Sequence, residues 1–312
     1  MSDEVLLLPW HEHAMALDGA TDGLDAVGWA DGEPAPGRDV LERVTFYVPA
    51  YLGGRPALEA MTRMPRLRSV QSLWAGVDAV WPFLPDGVAL HNAAGVHDAS
   101  TAELAVGLML ARLRGLDEFA RNQPAGAWLP RRNDSIADKR VLILGFGRIG
   151  QAIEQRLAGF ECEIVRVART ARTLDDGRHV HAMTELDDLL PTVDVVILIV
   201  PATPATVGLV DAGFLARMRR GAVLVNVARG PVVVTDDLVA ALREGRVRAA
   251  LDVTDPEPLP PGHPLWSAPG VLISPHVGGN SSAFEPRARR LVAAQIRRLR
   301  SDEPLDNLVT RP

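Results

Sequence analysis

The stretch Val141-Leu-Ile-Leu-Gly-Phe-Gly-Arg-Ile-Gly150 decides the fold. Its first four residues form a continuous apolar run, the pattern of a strand covered on both faces. Glycines at 145, 147 and 150 follow, and residues 149–158 carry helical periodicity. In that setting Gly145 permits a tight turn, Gly147 lets the backbone approach a pyrophosphate, and Gly150 lets helix and strand pack closely. The first helical residues, Arg148 and Ile149, stand where free backbone N–H groups and the positive end of the helix dipole meet an anion. A bare GxGxxG is a weak signal, but between a strand and a helix it predicts a dinucleotide site.

Further apolar runs lie at 164–168, 193–200, 222–227, 249–253 and 271–274, with helical segments at 212–218 and 235–244 between them. Thr235, Asp236 and Asp237 form an acidic first turn for the last of these helices. Alternation of this kind predicts an α/β fold with a doubly wound parallel sheet. Upstream, short runs at 5–9, 44–48, 68–73 and 88–91 read as strands, and 38–43 and 57–64 as short helices, so the first 95 or so residues form a smaller α/β unit. Ser100 and Glu103 make a capping-box pair, from which a helix of about five turns is expected to run and join the two domains. Residues 123–138, rich in Pro, Gly, Arg and Asn, read as a loop. The segment 285–300 places Val292, Ile296 and Leu299 opposite a dense arginine face, which predicts an amphipathic surface helix. Its expected return to the first unit gives a discontinuous domain of 1–95 plus 285–312, around a dinucleotide-binding domain of 96–284.

The 312 residues are 47% hydrophobic and 23% charged, which excludes a mainly disordered or fibrous chain. A net charge of −6 gives no general attraction to nucleic acid or to an anionic membrane, and neither is expected as a partner. The single cysteine, Cys162, rules out an internal disulfide and a cysteine-rich zinc site. The N-terminal residues lack the basic start and apolar stretch of a secretory signal, and no run approaches the roughly 18 apolar residues of a membrane span. A cytoplasmic location is the expectation. His11 and His13 flank Glu12, yet no further ligand cluster accompanies them, so no metal site is expected.

After the strand that follows the glycine loop, an NAD site usually presents an acid to the ribose 2′-hydroxyl. Here the residues are Val167-Ala-Arg-Thr-Ala-Arg172. Ala168 stands near the place of that acid and removes its repulsion of a 2′-phosphate, while Arg169, Thr170 and Arg172 supply donors, arginine being able to bind phosphate oxygens in pairs. NADP is therefore expected in preference to NAD.

Three more positions stand at successive strand ends: Arg229 in Asn226-Val-Ala-Arg-Gly230, Glu257 in Asp255-Pro-Glu-Pro258, and His276 in Ser274-Pro-His-Val-Gly-Gly279. With Leu73-Trp-Ala-Gly-Val-Asp78, the glycine loop, Val200-Pro-Ala-Thr-Pro204 and Pro304-Leu-Asp-Asn-Leu308, they occur in an order and spacing that resembles the D-isomer-specific 2-hydroxyacid dehydrogenase family, over most of the chain. The resemblance implies two Rossmann-like domains with the active site in the cleft between them, and a homodimer. It implies that His276 donates the proton to a 2-keto acid, that Glu257 orients the imidazole, and that Arg229 binds the substrate carboxylate, roles that suit the chemistry of each group. It further implies a carboxylate cradle at Ala75 and Gly76 beside Trp74, and cofactor contacts at Val200, Pro201, Val227, Ala228, Asp252 and Gly278.

Little more than one helix follows the His276 motif, so the extra regulatory domain of some phosphoglycerate dehydrogenases is not expected. Trp74, beside the carboxylate-binding segment, is expected to narrow the pocket, and Trp128 resembles a tryptophan in a connecting segment of glyoxylate and hydroxypyruvate reductases, although either can equally be a packing residue. The leading expectation is NADPH-dependent reduction of a short 2-keto acid. A phosphoglycerate dehydrogenase-like enzyme and a nicotinamide-sensing, non-catalytic interaction protein are the alternatives, and turnover separates the last from the others.

Overall fold

The computed structural model describes residues 4–11, 17–51 and 53–311. They form two compact units, one of residues 1–97 with 282–312 and one of residues 98–281.

In the first unit, strands β1 (Val5–Leu8), β2 (Asp25–Gly28), β3 (Val44–Tyr47), β4 (Ser69–Gln71) and β5 (Ala89–His91) are joined in part through helices α1 (Arg38–Leu41) and α2 (Gly54–Glu59). The chain then enters the second unit through α3 (Asp98–Arg114) and α4 (Leu116–Asn122). There it forms β6 (Arg140–Leu144), α5 (Arg148–Leu157), β7 (Glu163–Ala168), β8 (Arg172–Thr173), β9 (His179–Ala182), α6 (Leu186–Leu189) and β10 (Val195–Leu198). It continues with α7 (Ala212–Arg217), β11 (Ala222–Asn226), α8 (Thr235–Arg243), β12 (Val247–Leu251) and β13 (Val271–Ile273). Helix α9 (Phe284–Arg300) and β14 (Leu308–Val309) return to the first unit.

The second unit's sheet has the order β13-β12-β11-β10-β6-β7-β9-β8, parallel throughout except for the β8–β9 hairpin. The order reverses between β6 and β10, and in such sheets ligands bind outside the strand ends at that switch point. Both faces are covered, as the apolar runs require. Ile143, Val195 and Val225 pack under α3 and α5 residues such as Met109 and Ile153, while Leu144, Val196 and Leu224 pack under Phe214 of α7 and Leu238 of α8. Each such fully buried side chain contributes about 1.5–3 kcal/mol.

The first unit's sheet has the order β14-β5-β4-β3-β1-β2, with β14 antiparallel to β5 and the rest parallel. Helix α9 is amphipathic and buries Ala288, Val292, Ala293 and Ile296 against Leu6, Phe46 and Leu73. Two details differ from the sequence reading of this helix. Leu299 is exposed, and the polar Gln295 is buried instead, where its amide donates to Gln71 Oε1 at 2.7 Å and to the Asp306 carbonyl at 2.9 Å.

The helix expected to open at Ser100 begins two residues earlier. Asp98 occupies its first turn, where a carboxylate is favoured by the helix dipole, and the Ser100 hydroxyl lies 2.6 Å from that of Ser281, inside the second unit. The capping box is therefore not formed. No helix of the described residues is long and apolar enough to cross a membrane.

Candidate active site

The glycine loop joins β6 to α5 as its sequence demands. Gly145 sits at φ +112°, in the region glycine favours, and a Cβ there would come within 2.3 Å of the Ile199 carbonyl oxygen just beyond β10. Gly150 lies against the Gly145 carbonyl, so the helix start presses onto the turn. The Gly147 position, by contrast, meets nothing within 4 Å. A closed turn with one open backbone face at a helix start is the cradle that a pyrophosphate fits. Ile149 is half-buried in that first turn, and the Arg148 side chain leaves it to donate to Asp98 Oδ2 at 2.9 Å.

Ala168 ends β7, and exposed Arg169 and Thr170 occupy the bend that follows. Arg172, on β8, turns back toward the loop and donates through Nη2 to the Phe146 carbonyl at 2.7 Å. Beyond β10, Val200 is buried and Pro201 exposed, and the Pro201 carbonyl accepts from the Thr206 hydroxyl at 2.5 Å.

The other three motifs follow β11, β12 and β13, which are adjacent and in register, with Asn226 opposite Leu251 and Leu251 opposite Ile273. Their carboxyl ends therefore stand side by side. After β11, the Asn226 side chain accepts from the Ala228 N–H at 3.0 Å and donates to the Arg229 carbonyl at 3.1 Å, which shapes the turn. Val227 and Ala228 are buried, and half-buried Arg229 donates through Nη1 to the Ala228 carbonyl at 2.7 Å. Gly230 packs so closely on the loop after β12 that a Cβ would lie 1.9 Å from the Thr254 carbonyl oxygen, so no other residue fits without moving that loop. The Arg229 turn and the loop carrying Glu257 are thus in direct contact.

Glu257 lies in a proline-bracketed loop whose backbone is pinned by the Thr254 hydroxyl on the Pro256 carbonyl and the Thr235 hydroxyl on the Asp255 carbonyl. Its Oε1 lies 2.5 Å from His276 Nδ1. A carboxylate can only accept, so Nδ1 carries the proton of that bond and Nε2 is the ring nitrogen left for other chemistry.

His276 adopts φ +52°, a left-handed conformation that a side chain other than glycine rarely takes. Its N–H donates to the Asp252 carbonyl at 2.8 Å, and the Asp252 carboxylate, 3% exposed, gathers the rest of the turn. Oδ1 accepts from the Ser274 hydroxyl at 2.6 Å and the Val277 N–H at 2.9 Å, and Oδ2 from the Gly278 N–H at 2.8 Å. The sequence reading did not find this anchoring task of Asp252, because its partners lie some 22 to 26 residues downstream and leave no local pattern.

In the first unit, Trp74, Ala75 and Gly76 follow β4 and are half-buried. Trp74 receives a stacked Tyr51 at 5.8 Å, and its carbonyl accepts from the Ala93 N–H, while the Ala75 carbonyl accepts from the Asn92 amide at 3.0 Å. His97 is buried, with Nε2 2.7 Å from the Leu73 carbonyl. Of the N-terminal histidine pair, His11 lies 3.4 Å from Glu33, and Glu12 and His13 are outside the described residues.

Comparison with known proteins agrees with this architecture. Residues 106–278 match the model of the D-isomer specific 2-hydroxyacid dehydrogenase, NAD binding domain. The chain is 34% identical over 248 residues to a glyoxylate/hydroxypyruvate reductase B of Yersinia enterocolitica, covering 75% of this chain and 74% of that one. Among solved structures, a D-isomer specific 2-hydroxyacid dehydrogenase from Xanthobacter autotrophicus Py2 in complex with NADPH and MES superposes with a TM-score of 0.81 at 31% identity, covering 99% and 98% of the two chains. An NADPH-dependent glyoxylate/hydroxypyruvate reductase from Sinorhizobium meliloti, in complex with NADP and sulfate, does so with a TM-score of 0.83 at 28% identity, also covering 99% and 98%. With two mostly parallel α/β sheets, a glycine loop at the switch point and a full-length match to these oxidoreductases, the chain belongs to the D-isomer-specific 2-hydroxyacid dehydrogenase family and is a nicotinamide-dependent enzyme.

Proposed function

We propose that the protein reduces a short 2-keto acid, glyoxylate or hydroxypyruvate, to the corresponding 2-hydroxy acid (the D isomer where the product is chiral), with NADPH preferred over NADH. The observation that carries this reading is the His276–Glu257 pair at 2.5 Å, held at a strand end beside the Arg229 turn.

The glycine loop fits a dinucleotide, with Gly145, Gly147, Arg148, Ile149 and Gly150 holding the pyrophosphate through backbone groups, and Val200, Pro201, Val227, Ala228, Asp252 and Gly278 the remainder. Asp252 accepts three hydrogen bonds within the chain, and a carboxylate offers about four acceptor positions, which leaves room for one donor from a ligand. The absence of an acid at Ala168 and the donors Arg169, Thr170 and Arg172 support a 2′-phosphate, as do the NADPH and NADP named for the two structural relatives.

When bound, the reduced nicotinamide supplies a hydride to the carbonyl carbon. Arg229 holds the substrate carboxylate and polarises the carbonyl. His276 delivers its Nε2 proton to the carbonyl oxygen as the alcohol forms, and recovers it in the reverse direction. Glu257 keeps the ring turned through the Nδ1 bond.

A homodimer belongs to the same reading. Trp128 and Leu129 are 92% and 62% exposed, and with Phe119 they border a cavity of about 550 Å³ on the second unit. An apolar surface of this kind is what a second copy would cover.

The test is NADPH and NADH oxidation with glyoxylate, hydroxypyruvate, pyruvate and 3-phosphohydroxypyruvate. Turnover of the first two with a kcat/KM higher for NADPH is expected. Tight NADPH binding without turnover of any keto acid would instead establish the non-catalytic alternative.

A further inference from the structure

Apart from the glycine loop, a set of metal-ligating side chains converges at the edge of the second unit's sheet. His179 and His181 are two residues apart on β9, so their side chains leave the same face of the strand. The rings meet edge to face with 4.5 Å between centroids. The single turn of 3₁₀ helix at Met183–Glu185 then brings a carboxylate back over them. Glu185 Oε2 lies 2.7 Å from His181 Nδ1, while Oε1 accepts the Ala182 N–H at 2.8 Å and fixes the side chain's direction. One ligand atom from each of the three residues lies within 4.8 Å of those of the other two.

We propose that His179, His181 and Glu185 form a binding site for a divalent transition metal of the zinc class. Two imidazole nitrogens and one carboxylate oxygen are the donor set that such ions take, whereas magnesium and calcium require mainly oxygen. Bonds of about 2.0–2.2 Å in a tetrahedron put ligand atoms roughly 3.4 Å apart, so the most distant pair, within 4.8 Å, needs to close by no more than about 1.4 Å, while the His181–Glu185 contact opens from 2.7 Å. His179 is exposed and His181 and Glu185 half-buried, so rotation of the outermost ring achieves this without disturbing the core, and water completes the coordination.

The site also has a structural consequence. Across the hairpin Thr173 pairs with His179 and Arg172 with Val180, and Arg172 reaches the Phe146 carbonyl of the glycine loop. A metal that ties β9 to the turn after it stiffens the hairpin that carries Arg172.

The experiment uses the untagged full chain, stripped with a chelator and titrated with zinc chloride against a chromophoric competitor. Neither NADPH nor turnover enters it, so its outcome is independent of the enzymatic reading. One zinc per chain is expected, with His179→Ala, His181→Ala and Glu185→Ala each weakening binding by about tenfold or more, the loss that even an outer partner of a metal ligand produces. His263→Ala serves as the control and should leave affinity unchanged. His179→Ala should keep the melting temperature of the chelator-stripped wild type, while His181→Ala and Glu185→Ala, which lose the bonds of Glu185 to His181 and to the Ala182 N–H, should melt only slightly lower. Zinc binding that is absent in the wild type, or that survives all three substitutions, would overturn the proposal.

Discussion

The carboxylate of Asp252 receives the backbone N–H of Gly278 across 26 residues of chain, at 2.8 Å, and with the same side chain secures the turn that places His276. Asp252→Asn replaces one acceptor oxygen by a donor, which then faces the N–H of either Val277 or Gly278 and cannot bind it. Hydrogen bonds to a charged acceptor are worth about 1.5–3 kcal/mol each, so a melting temperature several degrees lower and a kcat reduced about tenfold or more are expected. Thermal melts and steady-state kinetics check this. Wild-type kcat in Asp252→Asn would show that the turn does not depend on the charge.

In the proposed reaction Glu257 acts only through the imidazole of His276, on which its carboxylate rests. His276→Ala is expected to lower kcat by roughly 10²–10⁴-fold, the range for loss of a general acid. Glu257→Gln should cost less, and the double variant no more than His276→Ala alone, since the carboxylate has nothing left to orient. Additive losses in this cycle would assign Glu257 a separate role.

Cofactor choice should respond to charge beside the end of β7. Arg169→Ala should lower kcat/KM for NADPH by about tenfold or more, the value of one or two charge-assisted bonds, with NADH little changed. Ala168→Asp should act in the same direction through repulsion of the 2′-phosphate and gain for NADH through the ribose hydroxyl. An unaltered NADPH to NADH ratio in both variants would remove the phosphate-binding role.

If Trp128 and Leu129 are covered by a second copy, a charge placed among them will not be tolerated there. Leu129→Asp is expected to shift the protein from dimer to monomer in sedimentation velocity, with the melting temperature falling and becoming independent of protein concentration. A dimer that persists unchanged in Leu129→Asp would place the interface elsewhere.

His91 gives a pH signature to the first unit. It is buried on β5, and burial lowers its pKa more than its hydrogen bond to the Asp306 carbonyl, at 2.9 Å, raises it. The folded protein therefore keeps the ring neutral where the unfolded chain binds a proton. Stability from this residue is complete above the ordinary imidazole value of about 6.5 and is lost as the pH falls below it. Between pH 7.5 and 5.5 the wild type should lose more in melting temperature than His91→Asn, which keeps a donor but does not titrate. Equal losses would exclude His91 as the source.

How much of this was legible beforehand depends on the reach of each interaction. The β6 run and its glycines carry their meaning within ten residues, because strand, turn and helix start are local events, and the parallel, doubly wound character of the sheet follows from the alternation of its strands with helices. The edge strand β2 and the hairpin of β8 and β9 were not found. β2 is a short, half-exposed run of Asp25-Ala-Val-Gly28, and β8 has two exposed residues, so neither shows apolar periodicity. The anchoring of the His276 turn by Asp252, and of α9 by Gln295 on Gln71 and Asp306, depends on partners distant in sequence, as does the diversion of Ser100 to Ser281. The sequence reading passed over His179 and His181, and the return of Glu185 to them needed the turn after β9.

The interleaving of the two units sets an order for biosynthesis. Residues 98–281 form an uninterrupted stretch that can collapse as soon as it leaves the ribosome. The N-terminal strands cannot be completed then, since Leu6 and Phe46 await Val292 and Ile296 of α9, and the open rim of β5 awaits β14. A nascent chain of this protein thus carries an unfinished first unit until α9 and β14 have emerged, and that interval is when holdase chaperones have most to protect.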